Sequence, residues 1–427
     1  MRIIADFHIH SPYARAVSKE MTLENLDYWA RLKGITVMGT GDFTHPQWMK
    51  EIKAKFEPAE PGLFKLKVVP DSVSHKIETE SGTTRFMLTV EISSIYSKGG
   101  KTRRVHNLIF APSIETAEKI NAQLNIRGNL KSDGRPILGL DSKELAKIVF
   151  NVDEKCVFVP AHVWTPWFSN FGSMAGFDTV EECFDEYSKY IYALETGLSS
   201  DPAMNWRLSA LDKYTLISNS DSHSLRRIGR EANVFDVELS YDAIIDAIKA
   251  KDPQRFLSTI EFFPEEGIYH YDGHRNCKVR LTPKETKKLN KICPNCGKSV
   301  TVGVMYRVGE LADRPEGFRP DGAIPYKNMV PLDEIIAEAL GLASATAKSV
   351  QEEYKKIVKE FGGEIPVLFD ISRSDLETKM RPGVVEGIVR VREGKLHIEP
   401  GYDGLYGKVK IFEEGESREV LKQKSLF

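Results

Sequence analysis

No apolar run in this sequence approaches the ~20 residues that a membrane-crossing helix needs, so a membrane protein is not expected. An excess of one charge is missing too: 59 Lys/Arg stand against 61 Asp/Glu, for a net charge of −2. That balance excludes a generally basic nucleic-acid binder while leaving room for a local basic patch. Cysteine is sparse. Five is an odd number for a disulfide framework, and three of the five cluster late in the chain, which points to a reducing compartment. The first residues lead directly into an apolar strand pattern with no signal-peptide signature, so a cytoplasmic location is expected.

What is present is a chain of 427 residues, too long for one ordinary core, with the composition of a globular protein at 41% hydrophobic and 28% charged. Two or three domains are expected. Near the start stands "ADFHIH". In a strand, residues i and i+2 share a face, so His8 and His10 point together, with Asp6 beside them. Burying polar groups without partners costs about 2–7 kcal/mol each. Two adjacent imidazoles avoid that cost by sharing a divalent cation or by hydrogen bonding.

Up to about residue 262, apolar runs alternate with helical patterns. The runs are "RIIADFHIH", "ITVMGTGDF", "RFMLTVEISSIY", "RRVHNLIFAP", "CVFVPAHVWTP", "YIYALETGLSS" and "YTLISNSDSH". Helices are expected in "TLENLDYWARLKG", "SIETAEKINAQLN" and "DSKELAKIVF", with Thr22 near the first start, Gly34 as its stop and Ser113 as the second N-cap. Strand–helix alternation predicts an α/β fold with a mainly parallel sheet, here a seven-stranded closed or nearly closed (β/α) barrel. Each run ends in a metal-capable or acidic side chain: His8 and His10, Asp42, Glu91, His106, His162, Glu195, then Asp221 and His223. The C-terminal ends of barrel strands share one rim, where such barrels hold their chemistry. The donors outnumber what one tetrahedral site needs, so two or three divalent metals (Zn, Mg or Mn) are expected, bridged by Glu91 or Asp221.

The HxH opening, "TGDFTH", "TVEIS", "RVHNLI", "VPAHVWTP" and the final "SDSH" resemble, in that order, the motif set of the polymerase-and-histidinol-phosphatase (PHP) superfamily. The resemblance implies a distorted seven-stranded barrel over about the first 260 residues, holding a tri-metal phosphoesterase site. It implies one metal on His8, His10, Glu91 and Asp221, a second on Glu91, His106 and His162, and His223 at a third. The sequence departs from the pattern in reading Asp42-Phe43 where the family often has Asp-His, and in lacking a further His or acid soon after the HxH. Asp42 then stands in as the third metal's ligand, or Arg15 and Lys19 bind phosphate directly. Glu195 is expected to orient a ligand histidine.

Residues 274–297 carry another metal signature. Cys293-Pro-Asn-Cys296-Gly reads as a zinc knuckle, with redox chemistry as the alternative for its CxxC; Cys277 supplies a third thiolate, and His274 or His270 is expected to complete the set of one structural zinc. Cys156 and Cys183 read as core residues. From 267 to 300 there are eight Lys/Arg against two acids, a charge suited to phosphate backbones or to a solvated helix face. After 311 comes a Pro- and Gly-rich connection. Helices are then expected in "LDEIIAEALG" and "SATAKSVQEEYKKIVKEFGG", and strands around "VVEGIVRVREGKLHIEPGYDGLYGKVKIF", with "REGK" as a hairpin turn. The "PGYDGLYG" stretch reads as a compact turn or as a base-stacking loop. The predicted layout is a barrel over 1–262, a small zinc-binding domain over 263–310 and an α+β domain over 311–427.

This barrel, followed by "TIEFFPEEGIYHYDGHRNC", the CPNCG knuckle, "GVMYRVGELADRP" and "PGYDGLYG", resembles the endonuclease Q family over essentially the whole chain. The resemblance implies an archaeal or bacterial DNA repair nuclease. It would cut the phosphodiester bond 5′ to a deaminated base (hypoxanthine, uracil, xanthine) or an abasic site, in DNA. Extrusion of the damaged nucleotide is then required. Trp164, Trp167, Phe168 and Asn170 offer side chains to stack on the base or wedge the duplex, or else pack the loop. Gln423, Leu426 and Phe427 resemble the front of a sliding-clamp-binding box. A small-molecule phosphatase and a non-catalytic nucleic-acid-binding accessory of a helicase are the alternatives.

Overall fold

The computed structural model describes residues 1–67, 84–413 and 416. The clamp-box residues Gln423, Leu426 and Phe427 lie outside them. The fold is mixed α/β. The first part contains β1 (Arg2–Asp6), α1 (Leu23–Lys33), β2 (Val37–Gly39), α2 (Pro46–Lys55), β3 (Arg85–Lys98), β4 (Lys101–Ala111), α3 (Ile114–Asn125), α4 (Ser142–Val152), β5 (Val157–Pro160), β6 (Ala193–Glu195) and β7 (Thr215–Ile217). Local chemistry explains the helix boundaries. The hydroxyls of Thr22 and Ser113 accept from the amides of Asn25 and Thr116, and Gly34 ends α1 in a left-handed conformation.

The seven expected strands follow one another in space. β1 runs parallel to β2, β2 parallel to β3, and β6 parallel to β7. β5 lies beside β6, where the Val163 amide donates to Glu195 O at 3.0 Å. The chain beyond β7 returns to the chain beyond β1: His10 N donates to Ser222 O at 3.1 Å, and Ser222 N to His8 O at 3.3 Å. Ala5, Val37, Met87, Leu108, Val159, Ala193 and Ile217, one from each of the seven strands, join one apolar cluster, and α5 (Tyr241–Ala250) adds its buried face.

The expectation of a mainly parallel sheet needs correction. β3 and β4 form a long antiparallel hairpin turning at Gly99-Gly100, and β4 pairs antiparallel with β5. No helix separates β3 from β4. The positive φ of both glycines permits a tight turn that alternation alone did not suggest. Glu91 and His106 therefore sit inside their strands and not at their ends. Ser93 pairs with His106 in the hairpin, so Glu91, two residues away, shares the His106 face. Two further strands, β8 (Ala232–Asp236) and β9 (Phe256–Glu261), extend the sheet antiparallel from β1, and Tyr326–Asn328 adds to β9 in parallel. The expected boundary at 311 thus precedes a strand of the first sheet.

Farther along, β10 (Asp272–His274) and β11 (Val279–Leu281) form a hairpin, followed by α6 (Val304–Leu311), α7 (Leu332–Ala339) and α8 (Lys348–Phe361). The strands expected in "VVEGIVRVRE" do not form. Pro382–Glu393 is a helix, α9, with Pro382 in its first turn and Gly394 as a left-handed cap. Val384, Val385, Ile388 and Val391 are buried on one helical face, so tertiary burial overrides their β preference. The only strands described after it are His397–Glu399 and Lys408–Lys410, paired with each other and packed on residues 264–266. Among the described residues no helix is long and apolar enough to cross a membrane.

Candidate active site

Where β1 ends, the extended backbone continues through His8 and His10, and both side chains are buried. Their Nε2 atoms converge on two carboxylates. His10 Nε2 lies 3.1 Å from Asp221 Oδ1 and 3.3 Å from Glu91 Oε2; His8 Nε2 lies 3.7 and 3.5 Å from the same two atoms. On its other side, Glu91 Oε1 is 2.6 Å from His106 Nδ1 and 2.9 Å from His162 Nε2. Glu91 therefore turns one oxygen to each histidine pair. Ligand atoms of His8, His10, Glu91 and Asp221 lie within 4.8 Å of one another, as do those of Glu91, His106 and His162.

The donor set fits divalent cations. The buried His8 Nε2 makes no hydrogen bond although it faces two carboxylates. Burial opposes charge on His8 and His10, yet Glu195 and Asp42 beside them, together with Glu91 and Asp221, hold both pKa values well above the ordinary range. Conversely, Glu91 is held well below the carboxylate range against its burial by His106, Arg135 and His8. Burial wins at His106 and brings it down to about 4. The carboxylates thus favour positive charge at the centre of the cluster, most strongly where His8 and His10 face them.

Behind these groups stands a ring of acceptors. Glu195 lies 3.0 Å from His8 Nδ1, accepts from the His162 amide at 2.9 Å and receives the Asn219 amide nitrogen at 2.8 Å. Asp42 lies 3.0 Å from His10 Nδ1, and its other oxygen accepts from the Ser11 amide at 2.6 Å. Asp42 belongs to neither ligand group, and both its oxygens are engaged. The structure places it as an acceptor behind His10. Asp6 also belongs to neither ligand group. Its carboxylate accepts from the amides of Ser220 and Gly229.

The backbone is unusual here. Asp42, His162 and Asp221 all have positive φ, at 50°, 30° and 44°, which L-residues adopt rarely. A glycine accommodates one of them: a Cβ on Gly197 would lie 2.4 Å from the His162 Cβ. His223 joins neither group. Its Nδ1 lies 2.8 Å from the Asp221 carbonyl oxygen, and its ring is tilted 4.7 Å from His10.

The other expected residues scatter. Arg15 is exposed, 3.8 Å from Asp133, and the Lys19 ammonium donates to Pro12 O. Trp164 and Asn170 are buried: the indole donates to Asn205 and packs on Phe171, and Asn170 donates to Thr179 O. Both are therefore corrected to loop packing. Phe168 lies over His106 with centroids 4.7 Å apart, and Trp167 meets Tyr269 edge-on at 5.3 Å. Sequence reasoning missed Arg135, whose Nη1 reaches Glu91 Oε2 at 3.1 Å. It stands in an ordinary "SDGRP" turn that no metal-ligand spacing marks. In the second cluster, ligand atoms of His274, Cys277, Cys293 and Cys296 lie within 4.8 Å of one another, which selects His274 over His270. The amides of Asn295 and Cys296 pull the Cys293 thiol down to about 6 against its burial.

The MJ0043 C-terminal domain family matches residues 331–395. An uncharacterized protein of Methanocaldococcus jannaschii, MJ0043, is 34% identical over 258 residues, 58% of this chain and 31% of its own length, so the match spans about a third of that relative. The uncharacterized YqxK of Bacillus subtilis is 29% identical over 96% of this chain and 99% of its own. The lesion-specific endonuclease PfuEndoQ from Pyrococcus furiosus superposes with a TM-score of 0.83 at 32% identity, covering 97% of this chain and 96% of that one. The chain belongs to the endonuclease Q family. Another structure of that family, an endonuclease Q complex with a 27-mer duplex substrate with an abasic lesion at the active site, matches at TM-score 0.83 and 32% identity over the full length of both chains.

Proposed function

We propose that this endonuclease Q-family chain is a metal-dependent DNA repair endonuclease that cuts a strand on the 5′ side of a deaminated base or an abasic site. The observation that carries the reading is Glu91, which turns one carboxylate oxygen to each of two histidine pairs. One cation would be held by His8, His10, Glu91 and Asp221, and a second by Glu91, His106 and His162. When bound, such a pair supplies water activation near neutral pH and charge to offset the scissile phosphate. The full-length likeness to PfuEndoQ and to the complex with abasic-lesion DNA supports DNA as the substrate. The ring of seven strands supports a PHP-type barrel over residues 1–262, with zinc-binding and C-terminal units after it.

The chain's own groups supply the rest. Glu195 and Asp42 fix the tautomers and the aim of His8 and His10. Arg135 sits beside Glu91 as a cation fit to bind a phosphate oxygen. His223 extends the donor set at the partly exposed edge.

The test is nicking of a duplex carrying one deoxyinosine or one abasic site, with Mg²⁺ or Mn²⁺, against an undamaged duplex and the His8→Ala variant. A single metal-dependent nick 5′ to the lesion, absent from both controls, is expected. Rapid hydrolysis of a generic phosphomonoester without nicking would overturn the reading in favour of a phosphatase.

A further inference from the structure

The "PGYDGLYG" loop is not absorbed by the site. It is rigidly held. The amides of Gly401, Gly404 and Gly407 donate to the carbonyls of Glu265, Ile268 and Glu266 at 2.8, 2.9 and 3.1 Å. Asp403 accepts from the Arg275 amide at 2.7 Å and from the Thr301 hydroxyl. A Cβ on Gly407 would lie 2.1 Å from Glu265 O, so only glycine lets the loop seat this closely. The two tyrosines part company. Tyr402 packs against Gly273, whereas Tyr406 is 80% exposed beside Leu405 at 41%.

Two arginines flank the loop, which itself carries Asp403 and rests on Glu265 and Glu266. The Arg275 guanidinium lies over Gly404, and Arg280 donates to Pro400 O. Both belong to the segment with eight cations against two acids. The loop also connects to the metal-binding residues. It rests on residues 265–271, whose Tyr269 meets Trp167, next to the Phe168 that covers His106. A stiff loop that holds an exposed aromatic ring, with Arg275 at Gly404 and Arg280 at Pro400, is preordered for a polyanion with stacked faces.

We propose that Tyr406 is a wedge that enters the lesion-bearing duplex and stacks in place of the extruded nucleotide; this rests on the duplex-lesion reading above. A ring reads no base identity, which suits an enzyme that meets its lesion in any sequence.

The test uses the full chain and a duplex with one abasic site and 2-aminopurine beside it. Metal-free wild type and Tyr406→Phe should raise the 2-aminopurine fluorescence, and Tyr406→Ala should not. With Mg²⁺ or Mn²⁺, Tyr406→Ala should nick this duplex about tenfold or more slowly, while cutting a single-stranded lesion oligonucleotide at the wild-type rate. Wild-type fluorescence and duplex nicking by Tyr406→Ala would overturn the wedge, and would leave the tip to a protein partner. Equal losses on duplex and single strand would overturn it as well. If the wild type nicks neither substrate, the nuclease reading fails, and the fluorescence still decides the wedge.

Discussion

His10 Nδ1 lies 3.0 Å from Asp42 Oδ1, with both side chains fully buried. The contact fixes which imidazole nitrogen faces Glu91 and Asp221, and the carboxylate raises the basicity of the ring. Asp42 itself sits at a φ of 50°, a conformation that Asn tolerates well. Asp42→Asn should therefore keep the turn and lose the charge. Affinity for Mn²⁺ should fall by about 10–100-fold, read by calorimetric titration, with the circular dichroism spectrum unchanged.

Lys33, at the end of α1, is 2% exposed, and its ammonium lies 2.5 Å from Glu364 Oε2. Glu364 also accepts from the Tyr354 hydroxyl at 2.7 Å and the Leu332 amide at 2.9 Å. The first and last parts of the chain thus meet through a buried ion pair. Lys33→Met would strand the carboxylate and should cost about 3–5 kcal/mol, measured by urea unfolding. Lys33→Met combined with Glu364→Gln should cost less than Lys33→Met alone, because the uncompensated charge is gone.

The strand runs and the histidines gathered around Glu91 were legible because burial restricts residue type along a strand and few side chains other than imidazole suit a buried place beside carboxylates. Asp42 was harder to place. Its residue type fits both a ligand and an acceptor behind one, and only the placement of His10 decides between them. Trp164 and Asn170 follow His162 in sequence, but the turn there sends both into the core. Arg135 carried no signal at all, because a solvated arginine and one facing Glu91 read alike. In α9 the valines favour strand locally, and the packing of α7 against it settles the matter.

Glu231 and Glu261 are buried near one another, and Glu231 Oε2 has no hydrogen-bond partner. Burial, reinforced at Glu231 by the Glu261 charge, raises both; Glu261 is pushed up to about 8. An unfolded glutamate titrates near pH ~4.3. Between that pH and about 8, the folded chain therefore holds protons that the unfolded chain has released. Stability is full below the unfolded value and falls as pH rises through the folded one, by at most about 1.4 kcal/mol per unit for each group. The melting temperature should decline from pH 5 to 9. Glu261→Gln should flatten that decline; an unchanged slope would show that this pair is not its source.

The zinc-type cluster has little else to hold it. Its apolar support is Leu281, Cys293 and Val300 with a few partly buried neighbours, far below what a small unit needs to fold on its own. The His274, Cys277, Cys293 and Cys296 set should therefore bind one Zn²⁺ tightly, with metal binding supplying the local folding energy. Cys293→Ser should lower zinc content by about one equivalent, measured by elemental analysis, and open residues 278–298 to protease. His8→Ala should leave that equivalent in place, because its imidazole belongs to the other cluster. Retention of full zinc content by Cys293→Ser would rule out the cluster as a structural zinc site.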